Sequence, residues 1–225
     1  MKRIAAIFSI AGVAFLLGAP QARALVFGQI DNFESGTTLG WANGVPGYLV
    51  NINTGGPAGT DDNFLQLTAD SVGQGGRLTT FNLQQWLGNY VATGVTAIAL
   101  DLRNQGPTQL SIRLAFKAAN SADAPGYLSQ AIILAPGSGW QHVSISLTSP
   151  NMIRVGNAAA HATFFSTGIA DVRIINEIGT ANLNGDFITG QLGIDNIQAV
   201  PEPGSIALAA AALAAVGLSR FRRRN

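Results

Sequence analysis

Gln109-Leu110-Ser111-Ile112-Arg113-Leu114-Ala115-Phe116-Lys117 is the stretch that decides the fold. On an extended chain Leu110, Ile112, Leu114 and Phe116 fall on one side and Ser111, Arg113 and Lys117 on the other. That alternation is the pattern of a half-buried β-strand, whereas a helix repeats its apolar positions every three to four residues. Val143, Ile145 and Leu147 alternate with Ser144, Ser146 and Thr148 in the same way. Further strand candidates are Phe27–Phe33, Tyr48–Asn53, Phe64–Ala69, Arg77–Phe81, Val95–Arg103, Tyr127–Leu134, Asp171–Asn176 and Leu192–Ala199. Turn signals separate them: Asn53-Thr54-Gly55-Gly56-Pro57, Gly73-Gln74-Gly75-Gly76, Asn104-Gln105-Gly106-Pro107 and Ala135-Pro136-Gly137-Ser138-Gly139. About ten short strands with such turns predict an all-β chain, an antiparallel jelly-roll-type β-sandwich. Leu83–Tyr90 reads as a short helix, residues 150–168 as an irregular loop, and Gly73–Gly76 as a hairpin turn.

Apolar segments frame this middle. Lys2 and Arg3 precede an apolar run from Ile4 to Leu17, and Ala22-Arg23-Ala24 follows. These are the parts of a secretory signal peptide, a signal helix cleaved after Ala24 to leave Leu25 as the mature N-terminus. At the other end Val200-Pro201-Glu202-Pro203 opens an uncharged run that lasts to Ser219, and Arg220, Arg222, Arg223 and Arg224 close it. At about 1.5 Å per residue the run makes a helix of roughly 25 Å, a short transmembrane helix whose arginines stay on the cytoplasmic side. The chain thus divides into a signal peptide (1–24), a β-sandwich (25–199) and a C-terminal sorting segment (200–225), with its motif at 201–203, its transmembrane span at 204–219 and its basic tail at 220–225.

Val-Pro-Glu-Pro, a short alanine-rich span and a terminal arginine cluster together resemble the PEP-CTERM sorting signal of Gram-negative bacteria. The resemblance implies that Pro201, Glu202 and Pro203 are read by an exosortase, a membrane-embedded cysteine protease. It implies export through the inner membrane, transient anchoring there, and a final place at the cell surface or in an exopolysaccharide-containing matrix.

Setting both end segments aside leaves six basic and eleven acidic residues in 25–199, a balance of about −5. No basic stripe remains to neutralise phosphates, which argues against a nucleic-acid partner. The chain has no cysteine, so disulfides and a lipid-modified N-terminal cysteine are both excluded. The chemistry-bearing inventory is thin. His142 sits opposite Val143 and Ile145 in the strand pattern and is expected to face solvent or pack under a loop; His161, in Ala158-Ala159-Ala160-His161-Ala162, has no carboxylate near it in sequence to orient its ring. No nucleophile elbow, His-Glu-x-x-His helix or phosphate loop is present. No catalytic residue is therefore assigned.

Asp31-Asn32-Phe33-Glu34-Ser35-Gly36 with Gly40-Trp41, then Gly139-Trp140-Gln141-His142-Val143-Ser144-Ile145, then Gly193-Ile194-Asp195-Asn196-Ile197 resemble, in order, segments of jelly-roll carbohydrate-binding and galactose-binding-like modules. The resemblance implies that the first and last strands are neighbours and that acids near both ends, Asp31, Glu34 and Asp195, hold a structural calcium; no other cofactor is expected. Of the rings that could stack on a sugar, Trp41, Trp86, Tyr90 and Trp140 are expected mostly in the core. Tyr48 and Tyr127 each follow a glycine at a loop-to-strand junction and are the expected ligand-binding rings. The function expected is that of an exported, exosortase-sorted, non-catalytic surface or matrix protein that binds extracellular polysaccharide. A secreted polysaccharide hydrolase and a purely structural matrix or adhesion component are the two alternatives.

Overall fold

The computed structural model describes residues 25–200. The expected signal peptide, the Pro201–Pro203 motif and the expected C-terminal span lie outside those residues. In chain order the elements are β1 (Ile30–Asp31), β2 (Trp41–Ala42), β3 (Leu49–Ile52), β4 (Phe64–Asp70), β5 (Thr79–Asn82), α1 (Tyr90–Thr93), β6 (Ala97–Asn104), β7 (Leu110–Lys117), β8 (Gly126–Ser129), β9 (Ile132–Leu134), β10 (Gln141–Ser146), β11 (Met152–Val155), α2 (His161–Thr167), β12 (Asp171–Asn176) and β13 (Thr189–Val200). They form two antiparallel sheets. One runs β10-β6-β13-β4-β3, with β1 joining β13 where β4 leaves off, and the other runs β11-β8-β7-β12-β5-β2, with β9 continuing the β8 side of β7. All the pairings are antiparallel, as the turn-rich sequence predicts.

The core lies between the sheets. Leu110, Ile112, Leu114 and Phe116 of β7 are all buried in it, together with Leu65 and Leu67 of β4, Leu100 and Leu102 of β6, and Leu192 and Ile194 of β13. Here the alternation decides burial as expected. The opposite side of β7 is a correction, because Ser111 and Lys117 are buried as well. Residues 177–188 fold over that side of the second sheet, so Ala115, Leu128, Ile175 and Leu183 make a small second apolar cluster. Beside it Lys117 Nζ and Arg173 Nη1 both donate to Asn184 Oδ1, at 2.9 and 3.1 Å. Burial, and then the Arg173 charge, push the Lys117 ammonium down to about 8.

Four local expectations also change. Of Leu83–Tyr90 only Tyr90 is helical, as the first residue of α1: Asn82 Oδ1 accepts the Gln84 and Trp86 N–H groups, and Gly88, at φ +127°, pairs with Ile169, so the chain turns until Asn89 caps the short α1. Tyr127–Leu134 is two strands, because Ser129 Oγ accepts the Leu114 N–H and interrupts the ladder between β8 and β9. Residues 150–168 contain β11 and α2, the latter held by Phe164 and Phe165 in the core. Gly73–Gly76 is no hairpin turn; it carries the chain from β4 in one sheet to β5 in the other.

Candidate functional site

Asp31 stands at the junction of the sheets, where β1 pairs with β13. Its carboxylate is buried, and Oδ2 accepts from Trp86 Nε1 at 2.7 Å, Trp41 Nε1 at 2.8 Å and Gln85 Nε2 at 3.0 Å. Burial raises its pKa above the ordinary carboxylate value, and the three donors oppose that rise. Three N–H donors thus converge on Oδ2 of Asp31, one of the acids expected at the calcium. The role of Asp31 is to fix the two tryptophans, whose rings lie 6.2 Å apart in the core.

Glu34 and Asp195 are placed differently. Asp195 lies on the outward side of β13 directly opposite Asp101 of β6, an arrangement of like charges that destabilises a sheet. A bulge follows between Asp195 and Gln198, where Asn196 takes φ +49° and points its amide back at Asp101 Oδ2 (2.8 Å). Desolvation, and then the charges of Asp62, Asp101 and Glu34, push the Asp195 carboxyl up to about 7. Glu34 is exposed, and its Oε1 accepts the Asn63 N–H at 3.0 Å. Among the described residues no group of three or more His, Cys, Asp or Glu side chains is placed to hold a metal. An ion there would complete its shell with carbonyl oxygens.

The two tyrosines separate. Tyr127 is buried, contrary to expectation: it sits between β8 and α2 against Phe164 and Phe165, and its hydroxyl donates to Ala159 O at 2.8 Å. Its preceding Gly126 is no loop glycine, since a Cβ there would lie 1.9 Å from Phe116 O across the sheet. Tyr48, next to edge strand β3, is half-exposed, and its hydroxyl donates to Asp70. That bond raises the Tyr48 pKa and lowers that of Asp70.

Beside Tyr48 stands a ring that sequence reasoning missed. Phe187 is 54% exposed, with the Arg77 guanidinium 4.3 Å from its ring centre; Arg77 also donates to Gly185 O. A Cβ on Gly75 would strike the Tyr48 ring and one on Gly76 the Phe187 ring, each within 2.5 Å. The glycine pair thus brings two aromatic side chains up to adjacent backbone positions at the far end of the sandwich. Tyr48, Gly75-Gly76 and Phe187 are far apart in sequence, and the glycine pair was the signal for their juxtaposition. By contrast, a surface pocket of about 160 Å³ between residues 122–125 and 181–184 has no aromatic ring in its lining.

Both histidines are accounted for. His142 is exposed, with Nδ1 2.8 Å from Asp101 Oδ1, and His161 packs its ring on Phe165 while Nε2–H donates to Leu147 O at 2.8 Å.

A β-sandwich that ends at Val200 and runs directly into Pro201 defines a folded domain with an appended address. That address is a PEP-CTERM protein-sorting motif, whose family model matches residues 199–224. It marks the chain for export and exosortase-directed sorting at the bacterial surface. No curated protein matches the chain. Among solved structures the fold is similar to a domain-sized part of an exo-β-agarase (TM-score 0.50, 14% identity, covering 79% of this chain and 25% of that one). It is also similar to the family 11 carbohydrate-binding module from Clostridium thermocellum solved with a β-1,3-1,4-mixed-linked tetrasaccharide (TM-score 0.47, 18% identity, 78% of this chain and 96% of that one). A third is the tandem CBM22 domain of Paenibacillus barcinonensis Xyn10C (TM-score 0.43, 13% identity, 82% and 49%). At these identities the likeness is one of fold.

Proposed function

We propose that this chain is an exported, non-catalytic surface or matrix protein of a Gram-negative bacterium. Its β-sandwich binds polysaccharide, and the segment after Val200 holds it at the inner membrane until an exosortase processes it at Pro201-Glu202-Pro203. The observation that carries this reading is the sorting motif at 199–224, which begins where β13 ends. The polysaccharide assignment is supported by the fold shared with part of an exo-β-agarase and by the Tyr48 and Phe187 rings seated on Gly75-Gly76. An apolar ring face beside hydrogen-bonding groups suits a pyranose, which presents C–H groups on one face and hydroxyls at its edge. A structural calcium at Glu34 and Asp195 belongs to the same proposal and is favoured by the raised pKa of buried Asp195.

The test is affinity electrophoresis of the mature chain on galactans, mixed-linkage β-glucans and the host's own exopolysaccharide, beside a reducing-sugar assay on the same glycans. Retention without new reducing ends is expected. New reducing ends would replace the binding protein with a hydrolase. Free migration through every glycan would leave a structural matrix component.

A further inference from the structure

The two ends of the described chain meet at one end of the sandwich. Leu25 donates its N–H to Leu87 O at 2.9 Å, Gly28 N–H reaches Ala199 O at 3.0 Å, and Ile30 then pairs with Gln198. Val200 pairs with Ala97 and accepts from Thr96 N–H at 3.2 Å. Leu147 N–H bonds Thr96 O, His161 reaches Leu147 O, and Gly88 pairs with Ile169. Four stretches, 25–30, 83–99, 143–151 and 156–170, therefore close this end, and none contains an Asp, Glu, Lys or Arg. Four large apolar side chains are left in water there: Val26 (60% exposed), Phe27 (58%), Ile30 (50%) and Val91 (59%).

We propose that this end is a membrane-seating surface, with Val26, Phe27, Ile30 and Val91 entering the boundary between lipid headgroups and acyl chains while the tail holds the protein at the bilayer. Three observations select lipid over a protein partner. Pro201 follows the last paired residue directly and the uncharged run begins at Pro203, so at about 3.3 Å per residue the tether allows almost no separation from the bilayer. The domain is acidic, and an anionic leaflet repels acids over roughly a Debye length of 8 Å; the acid-free end is the face that can approach. Protein partners are steered and oriented by complementary charge, of which this surface has only Arg154, whose guanidinium donates to Ala158 O. A phenyl ring with aliphatic neighbours is suited instead to interfacial burial. The seating is independent of what the far end binds. It orients Tyr48 and Phe187 outward, since Asp70, two residues beyond Tyr48's partner Thr68, pairs with Thr189 at the opposite end of β13.

The cysteine-free sequence permits a direct test. Single cysteines replacing Phe27 or Val91, and as controls Val72 or Ile178, are labelled with a polarity-sensitive fluorophore in the full chain, reconstituted in vesicles of phosphatidylethanolamine with a minority of phosphatidylglycerol. Labels at 27 and 91 are expected to shift to the blue and to be quenched several-fold more by brominated acyl chains than labels at 72 and 178. Phe27→Glu with Val91→Glu should abolish that difference at an unchanged melting temperature, read with the label at Ile30→Cys. Equal quenching at all four positions overturns the proposal. So does shielding of 27 and 91 that arises only when membranes containing the sorting protease replace pure lipid, which would make the surface a protein-docking site.

Discussion

Replacing Asp31 by Ala removes one oxygen on which two buried indoles and an amide converge. Trp41 is 2% exposed and Trp86 is fully buried, so their N–H groups would have no water to turn to. Each buried donor left without an acceptor costs about 1–3 kcal/mol. Part of that is offset because the buried carboxylate, whose desolvation raises its pKa, is removed at the same time. We expect a net loss of about 3 kcal/mol, and at about 2–4 °C per kcal/mol for a domain of this size the melting temperature should fall by roughly 10 °C. Asp31→Asn keeps an acceptor oxygen and should lose only about 1 kcal/mol. The pH dependence separates wild type from both variants, which lack the titrating carboxyl. A carboxyl whose folded pKa is raised above its unfolded value contributes stability that is complete below the unfolded pKa and is lost as pH rises through the folded one. Wild type should therefore gain on Asp31→Asn as pH is lowered from neutrality toward 4. Urea unfolding followed by tryptophan emission reads both effects, because Trp41 and Trp86 are themselves the reporters. An Asp31→Ala protein within about 0.5 kcal/mol of wild type, with unshifted emission, would show that the indoles do not depend on Asp31.

The remaining predictions concern the two ends of the molecule and its acidic side. Phe187→Ala and Tyr48→Ala should each weaken polysaccharide binding about threefold to tenfold, the value of one aromatic stacking contact, with little change in melting temperature; isothermal titration against the best glycan from the screen measures it. Calcium should raise the melting temperature relative to a chelator, and Glu34→Gln or Asp195→Asn should cancel the rise, because a ligand bound only by the folded state stabilises it. In the native host Glu202→Ala should leave full-length protein in the inner membrane, and immunoblots showing released, shortened protein at wild-type amounts would reduce the tail to a plain anchor.

The fold was legible where one face alone decides burial, as in β7 and β10, whose apolar positions alternate without interruption. It was not legible on the opposite side of β7. Ser111, Arg113 and Lys117 look like a solvated face, and only the distant residues 177–188 cover them. The bulge in β13 was written in the sequence: Leu192 and Ile194 keep one period and Ile197 and Ala199 keep the same one shifted by a residue, which is how an added residue restores apolar side chains to the core. For the candidate site, a preceding glycine proved an ambiguous sign. Before Tyr127 it allows strand packing against Phe116, whereas Phe187, with no such mark, is exposed with its ring laid against Gly76. Asp31 and Asp195 look alike in sequence, each an Asp-Asn beside an apolar residue, and only tertiary contacts give one to indoles and the other to a cluster of acids.

The register of β13 also bears on how the sorting motif can be reached. β13 lies between β6 on one side and β4 and β1 on the other, and its pairing with β6 continues to its last residue, Val200 opposite Ala97. A protease binds its substrate in extended form along several residues, and a strand held by ladders on both sides is unavailable to it without breaking the sheet. Access therefore begins at Pro201, whose missing N–H cannot continue the ladder. In sequence the motif thus follows the last paired residue of β13 with no linker between them. Lengthening this junction would free the motif from the fold but also free the fold from the bilayer, so the same absent linker serves the reading of the address and the seating of the domain.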